Sequence, residues 1–355
     1  MNVKGRNFGL DLARAVAILA VALIHASAFF LTSYGRETVE FSVGNLFDSA
    51  ARIGVPLFLM ISGALMLDET RPITVKKILG KYVKNILLLL YFWSLLYAVV
   101  TQILLPIYTD TPVSIRGFLA ALLYGHYHMW YLFMVVGLYL VTPFLRAFVK
   151  RENRQLVQLF LVLAVLMQFV PTVCTALSKC SNLWASIDVL PYFTRWLSQF
   201  KLSFFSQYTA YYVLGWYITH MGVSTPWKRY VWYGASAVSL LATIWFVQMS
   251  GDYANGYSEL NLLILVYSSG VFLLLNQIGQ PLGKATRIGV LALSKSSFGI
   301  YIIHPIVLEL LRMAVPYHRI PALYIVVSYV VVLAISWVVT VLISKLPVLK
   351  HTVRM

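Results

Sequence analysis

The chain has 355 residues, of which 60% are hydrophobic and 11% charged, and its mean hydropathy is +0.79. Soluble domains carry about 25% charged residues, so the composition excludes a soluble protein. It points to an all-α, polytopic integral membrane protein with no room for a separate soluble domain. Two cysteines, Cys174 and Cys180, exclude a zinc or thiol framework, and no metal site is expected.

Apolar stretches predict ten membrane spans, roughly 9–30, 45–67, 79–105, 129–149, 154–171, 205–221, 230–249, 259–276, 293–313 and 321–344. Residues 1–355 then form one domain. The first thirty residues start basic and carry Ala26-Ser27-Ala28, which imitates a signal peptide. Asp11 and Arg14 inside the apolar part argue against cleavage. With the N-terminus cytoplasmic, 19 of the 28 lysines and arginines fall in inside loops and tails, and 7 outside. That excess is the positive-inside pattern. It places both termini in the cytoplasm and accounts for the net charge of +16 without a nucleic-acid partner.

The first span carries Asp11, Arg14 and His25. Ionisable groups inside a span are costly unless they face a partner or a cavity. Asp11 and Arg14 are three apart and can pair. Arg14 and His25 are close to three turns apart, so they share a stripe, about 16 Å apart along the axis. They either line a site, or anchor the helix end and bond a neighbouring helix.

The second span holds Asp48, Arg52, Gly54, Pro56, Ser62 and Gly63. It reads either as a broken helix lining a site or as a helix packed closely through small residues. The run Lys76–Lys84 leads into the third span. It is either a positive-inside anchor or a phosphate site, with Lys81 and Lys84 one turn apart.

The loop around 106–128 ends in His126, His128, Trp130 and Tyr131, either an interfacial aromatic belt or a sugar-contacting surface. The outside loop 172–204 permits a Cys174–Cys180 disulfide in an oxidising exterior. In the ninth span His304 precedes Pro305, which predicts a local break, and Tyr301 shares a face with His304.

Taken together these stretches resemble the membrane acyltransferase-3 family, whose members acylate cell-surface sugars. Arg14 and His25 resemble its arginine, ten residues and histidine. Phe58 to Gly63 resembles its apolar run closing in Ser-Gly, with Leu59 where many members have a second phenylalanine. His128-Met-Trp-Tyr131 and Tyr301-Ile-Ile-His-Pro305 resemble two further motifs. The family's basic Arg-x-x-Arg element falls at Lys81 and Lys84. The overall likeness is to short members such as O-acetyltransferases of enterobacterial common antigen.

The resemblance implies a bacterial inner membrane, acetyl-CoA or another acyl-CoA as donor, no permanently bound cofactor, and a glycan or lipid-linked oligosaccharide as acceptor. It implies that His25 is catalytic and that Arg14, held by Asp11, binds the donor with Lys81 and Lys84. Ser62, His128, Trp130, Tyr301 and His304 are candidates for orientation or acceptor contact. Two other functions stand beside it: a transporter or flippase of a lipid-linked sugar, which uses similar intramembrane charges, and a signalling or assembly subunit without chemistry, which has no need of His25.

Overall fold

Long apolar runs without water to bond their backbone can only satisfy it internally, and helices are what the chain forms. A computed structural model describes residues 7–104, 114–170, 174, 195–196, 199, 207–223, 225–278, 283–317 and 320–353. Among the described residues there is no strand.

The helices are α1 (Phe8–Ser33), α2 (Val39–Ala51), α3 (Gly54–Met66), α4 (Lys84–Val99), α5 (Ile115–Tyr124), α6 (Trp130–Phe148), α7 (Arg154–Ala164), α8 (Tyr208–His220), α9 (Pro226–Ser250), α10 (Leu262–Ile278), α11 (Lys284–Ala314) and α12 (Pro321–Lys345). Among the described residues, seven helical stretches are long and apolar enough to cross a membrane: α1, Val39–Met66, Val75–Leu104, Ile115–Phe148, α9, α11 and α12. The three other expected spans coincide with shorter helices: α7 with its π-helical extension to Phe169, α8 and α10.

The contacts sort the helix ends into two faces. Arg14 meets Ser294 and His25 meets His304, so α1 and α11 run in the same direction. Arg146 in the last turn of α6 clamps the end of α3. Its Nη1 donates to the Met66 carbonyl at 2.7 Å and the Asp68 carbonyl at 2.9 Å, and its Nη2 to the Arg71 carbonyl at 3.0 Å. A cation there complements the carbonyl-rich end of a helix. At the far face, Arg36 reaches the Met249 carbonyl at the end of α9.

Both readings of the second span apply, at different positions. The helix breaks at Arg52–Ile53, between α2 and α3. Arg52 there forms an ion pair with the buried Asp48 and lies 4.3 Å from the ring centre of Tyr257. Further along, α3 meets α8 backbone to backbone. A methyl group at Gly63 would land on the Tyr212 carbonyl, and one at Gly215 on the Met60 carbonyl.

Two expectations are corrected. The helix does not break at Pro305: α11 runs unbroken from Lys284 to Ala314. Neighbouring side chains occupy the carbonyls around the proline. The Tyr97 hydroxyl donates to Ile302 and the His304 ring to Ile300, which is how spanning helices tolerate proline. The loop around 106–128 contains a helix, α5, packed on α4. The Cys174–Cys180 pairing lies outside the described residues, because Cys180 is not among them.

Candidate active site

The site is built where α1 packs on α11. At the start of α1 the buried Asp11 carboxylate accepts from the Ser294 hydroxyl at 2.8 Å. Arg14 Nη1 donates to Ser294 Oγ at 3.4 Å and lies 3.5 Å from Asp11 Oδ1. Asp11 therefore fixes Arg14 in a partly open position, with 28% of its side chain exposed. A fixed guanidinium is a two-pronged anchor for an oxyanion.

Three turns further on, four histidines gather from three parts of the chain. His25 on α1 faces His304 on α11, ring centres 5.0 Å apart. His128 lies 5.9 Å from His304 and 5.2 Å from Tyr301. His126 Nδ1 is 3.0 Å from His128 Nδ1, and its Nε2 is 3.1 Å from Glu309 Oε1.

The turn that brings His126 and His128 in depends on Gly125. It ends α5 at φ 70°, a conformation that costs glycine little. Tyr301 then ties the turn to α11, donating to the His128 carbonyl at 2.7 Å. Arg312 Nη2 donates to the His25 carbonyl at 2.7 Å. His304 Nδ1 sits 3.0 Å from the Ile300 carbonyl, and a carbonyl only accepts. A neutral His304 therefore presents a bare Nε2. That Nε2 and the Nε2 of His128 are both buried without a hydrogen-bond partner among the described residues.

Below the histidines lies a cavity of about 1320 Å³. Drug-sized ligands occupy roughly 300–1,000 Å³, so this one accommodates a larger molecule. Its cations are Arg14, Arg71, Lys81 and Lys295. Arg71, Lys81 and Lys295 are exposed, whereas Arg14 is only partly so. Its inner wall includes Tyr131, Tyr139 and Tyr301. Tyr301 belongs to both compartments, since it lines the cavity and packs edge-on against His128.

The sequence model of the acyltransferase-3 family, described as an acyltransferase domain, matches residues 7–341. The chain belongs to the acyltransferase-3 family. No curated protein and no solved structure matches it. An acyltransferase of this family must bring a donor and an acceptor to one reactive group, and the two compartments meet at Tyr301.

The structure brings together most of the residues singled out in the acyltransferase sequence. His25, His128, His304 and Tyr301 form one cluster. Arg14, Ser62 and Lys81 line one cavity, with Asp11 behind Arg14.

Two residues stand apart. Lys84 does not line that cavity but an adjoining apolar surface with Leu87, Tyr91 and Leu95, the two sharing Leu88 and Phe92. The cause is local: Ile78–Val83 is π-helical, and its wider turn separates Lys81 from Lys84. Trp130 is 38% exposed and packs on Tyr208, 5.7 Å away, outside the histidine cluster.

Sequence reading missed Glu309, Arg71 and Lys295. Glu309 is an acidic residue inside an apolar helix, the kind of signal that marked Asp11, and it lies five residues beyond His304. Arg71 and Lys295 looked like ordinary loop cations, and only the fold turns them towards one cavity.

Proposed function

We propose that this acyltransferase moves an acetyl group from acetyl-CoA to a hydroxyl of a surface glycan or lipid-linked oligosaccharide, as O-acetyltransferases of enterobacterial common antigen do. The observation that carries the reading is the cationic cavity that ends at Tyr301, against the histidine cluster. The donor's phosphates would rest on Arg71, Lys81 and Lys295, and Arg14 would hold a deeper oxygen. The pantetheine arm would run along α1 towards His25. From Ser294 to His304 is ten residues, roughly 15 Å of helix.

His25 is the reactive group in this reading. As a residue His25 is less buried than His128 and His304, so in this reading an acceptor entering from the far face touches it. A neutral imidazole there accepts the hydroxyl's proton during attack on the thioester, or carries the acetyl group as a nucleophile. In the first route the hydroxyl oxygen bonds to the acyl carbon and the C–S bond breaks. The thiolate then recovers the proton from the imidazole. The protein would sit in a bacterial inner membrane as a single domain, both termini in the cytoplasm, with the basic cavity mouth facing the acetyl-CoA pool.

The test is radiolabelled acetyl-CoA supplied to membranes that contain the protein and its glycan. Label in the glycan, released by mild base as acetate, is the expected result. Glycan that stays unlabelled while the protein is folded would overturn the reading.

A further inference from the structure

General-base catalysis by a buried imidazole leaves a positive charge where water is scarce, and such a charge is costly. The histidine cluster offers a way to move it. His126 Nε2 faces the Glu309 carboxylate at 3.1 Å, so that nitrogen carries a proton and donates it. In a neutral His126, Nδ1 is then bare. It lies 3.0 Å from His128 Nδ1, so His128 donates from Nδ1. The Nε2 of His128 is left bare, and it is the atom found buried without a partner among the described residues. One carboxylate thus sets the tautomers of two rings.

We propose that Glu309, His126 and His128 form a proton relay that holds the proton of the acyl-accepting hydroxyl during transfer. A proton arriving at His128 Nε2 releases the Nδ1 proton to His126. His128 is again neutral, and the charge rests on His126 beside Glu309. When the C–S bond breaks, the thiolate takes the proton back from His128 Nε2, and the Nδ1 proton returns from His126. No other reactant is needed. The relay serves equally whether the hydroxyl's proton reaches His128 directly or through His25. The exposure supports the direction: His128 is 2% exposed, whereas the Glu309 side chain is 31% exposed. Charge therefore moves from a fully buried ring towards the more open Glu309 carboxylate.

The relay faces other titratable groups. From α4, the Tyr97 ring stacks on His126 at 4.4 Å. Tyr127 lies 4.4 Å from His126 and 5.3 Å from His25 of α1. On α11, Tyr301 and His304 face His128, and Arg312 approaches His25. Among the groups named here, Glu309 is the only acid.

In this assignment Glu309 and His126 are positioning residues, and His128 takes up the proton, directly or from His25. The inference rests on the acyl-transfer reading, so its test has one arm with substrate and one without. With acetyl-CoA and the glycan, Glu309→Gln should lower kcat about tenfold to a hundredfold and leave KM for acetyl-CoA within twofold. The acid limb of its rate should lie at lower pH than that of the wild type, because the lost carboxylate leaves the imidazoles less basic. Glu309→Asp should restore most of the rate. A wild-type kcat and pH profile in Glu309→Gln overturns the relay, as does an equal loss in Glu309→Asp. The arm without substrate is ¹⁵N NMR of histidine-labelled protein in lipid bilayers. The expected spectrum has His126 protonated at Nε2 and His128 at Nδ1, with His126 changing tautomer in Glu309→Leu, which leaves no oxygen to accept from Nε2. If the wild type does not acetylate the glycan, this arm alone decides: the linked tautomers uphold the relay, and unlinked ones overturn it.

Discussion

His25 and His304 face each other across the contact of α1 and α11, ring centres 5.0 Å apart. They differ in freedom. His304 is fully buried and bonds its own helix at Ile300, whereas His25 is partly open. That difference assigns His304 to packing and leaves His25 open to the acceptor hydroxyl. His25→Ala and His25→Gln should insert and fold at wild-type levels and lose about a hundredfold to ten-thousandfold in acyl transfer. His304→Ala should instead reduce the amount of folded protein, because it empties a buried site. Transfer per folded molecule, measured with labelled acetyl-CoA, distinguishes the two. His25→Ala within a few-fold of wild type would refute the assignment.

The first helix was the most legible part of the sequence. Its charges obey helical spacing, and spacing is what places Arg14 and His25 on the side that meets α11. His128 was visible as a residue type, but its arrival beside His304 depends on the Gly125 turn and on pairing across 173 residues between His128 and Tyr301. No local pattern carries that information. The separation of Lys81 from Lys84 was illegible for another reason. Both sit in a run that looks α-helical, and nothing in its residue types marks the π-helical turns at Ile78–Val83.

Gly63 should be intolerant of any side chain. Its neighbour is the Tyr212 backbone, which cannot rotate aside as a side chain can. Gly63→Ala should push α3 and α8 apart and destabilise the protein by about 1–3 kcal/mol, the usual cost of overpacking. Gly80 has open space around it, so Gly80→Ala serves as the control. Thermal unfolding in detergent, monitored by tryptophan fluorescence, should show a lower midpoint for Gly63→Ala alone. Equal midpoints for the two variants contradict the close approach.

Asp68 lies just beyond α3, outside the span. Partial burial works against its charge. The Thr70 hydroxyl at 2.8 Å and the Thr70 N–H at 3.0 Å outweigh that, with His220 and Arg71 adding to them, and its carboxyl is held below its ordinary value. A carboxylate whose folded pKa is depressed contributes stability above the unfolded value, about 3.9. That stability is lost only as pH falls through the lower folded value. Wild type should therefore lose stability in acid by an increment that Asp68→Asn lacks. Parallel acid-unfolding curves for the two proteins would show that Asp68 contributes nothing.

The two lysines give the sharpest test of the donor cavity, because their charges match and their surroundings differ. Lys81 lines the cavity with Arg14 and Arg71, whereas Lys84 faces an apolar surface. If the cavity takes the donor's phosphates, Lys81→Ala removes one exposed ionic contact. Such contacts are worth about 0.2–1 kcal/mol, so the acetyl-CoA requirement should rise by up to roughly fivefold, with kcat nearly unchanged. Added salt should shrink the difference between wild type and Lys81→Ala, since an exposed contact is screened. Lys84→Ala should leave donor dependence as it is. The two variants alter the net charge of the same helical stretch equally, so a general electrostatic effect would move both together. Donor titrations that shift equally in Lys81→Ala and Lys84→Ala would mean that only the stretch's charge matters, and that the cavity is not where the phosphates bind.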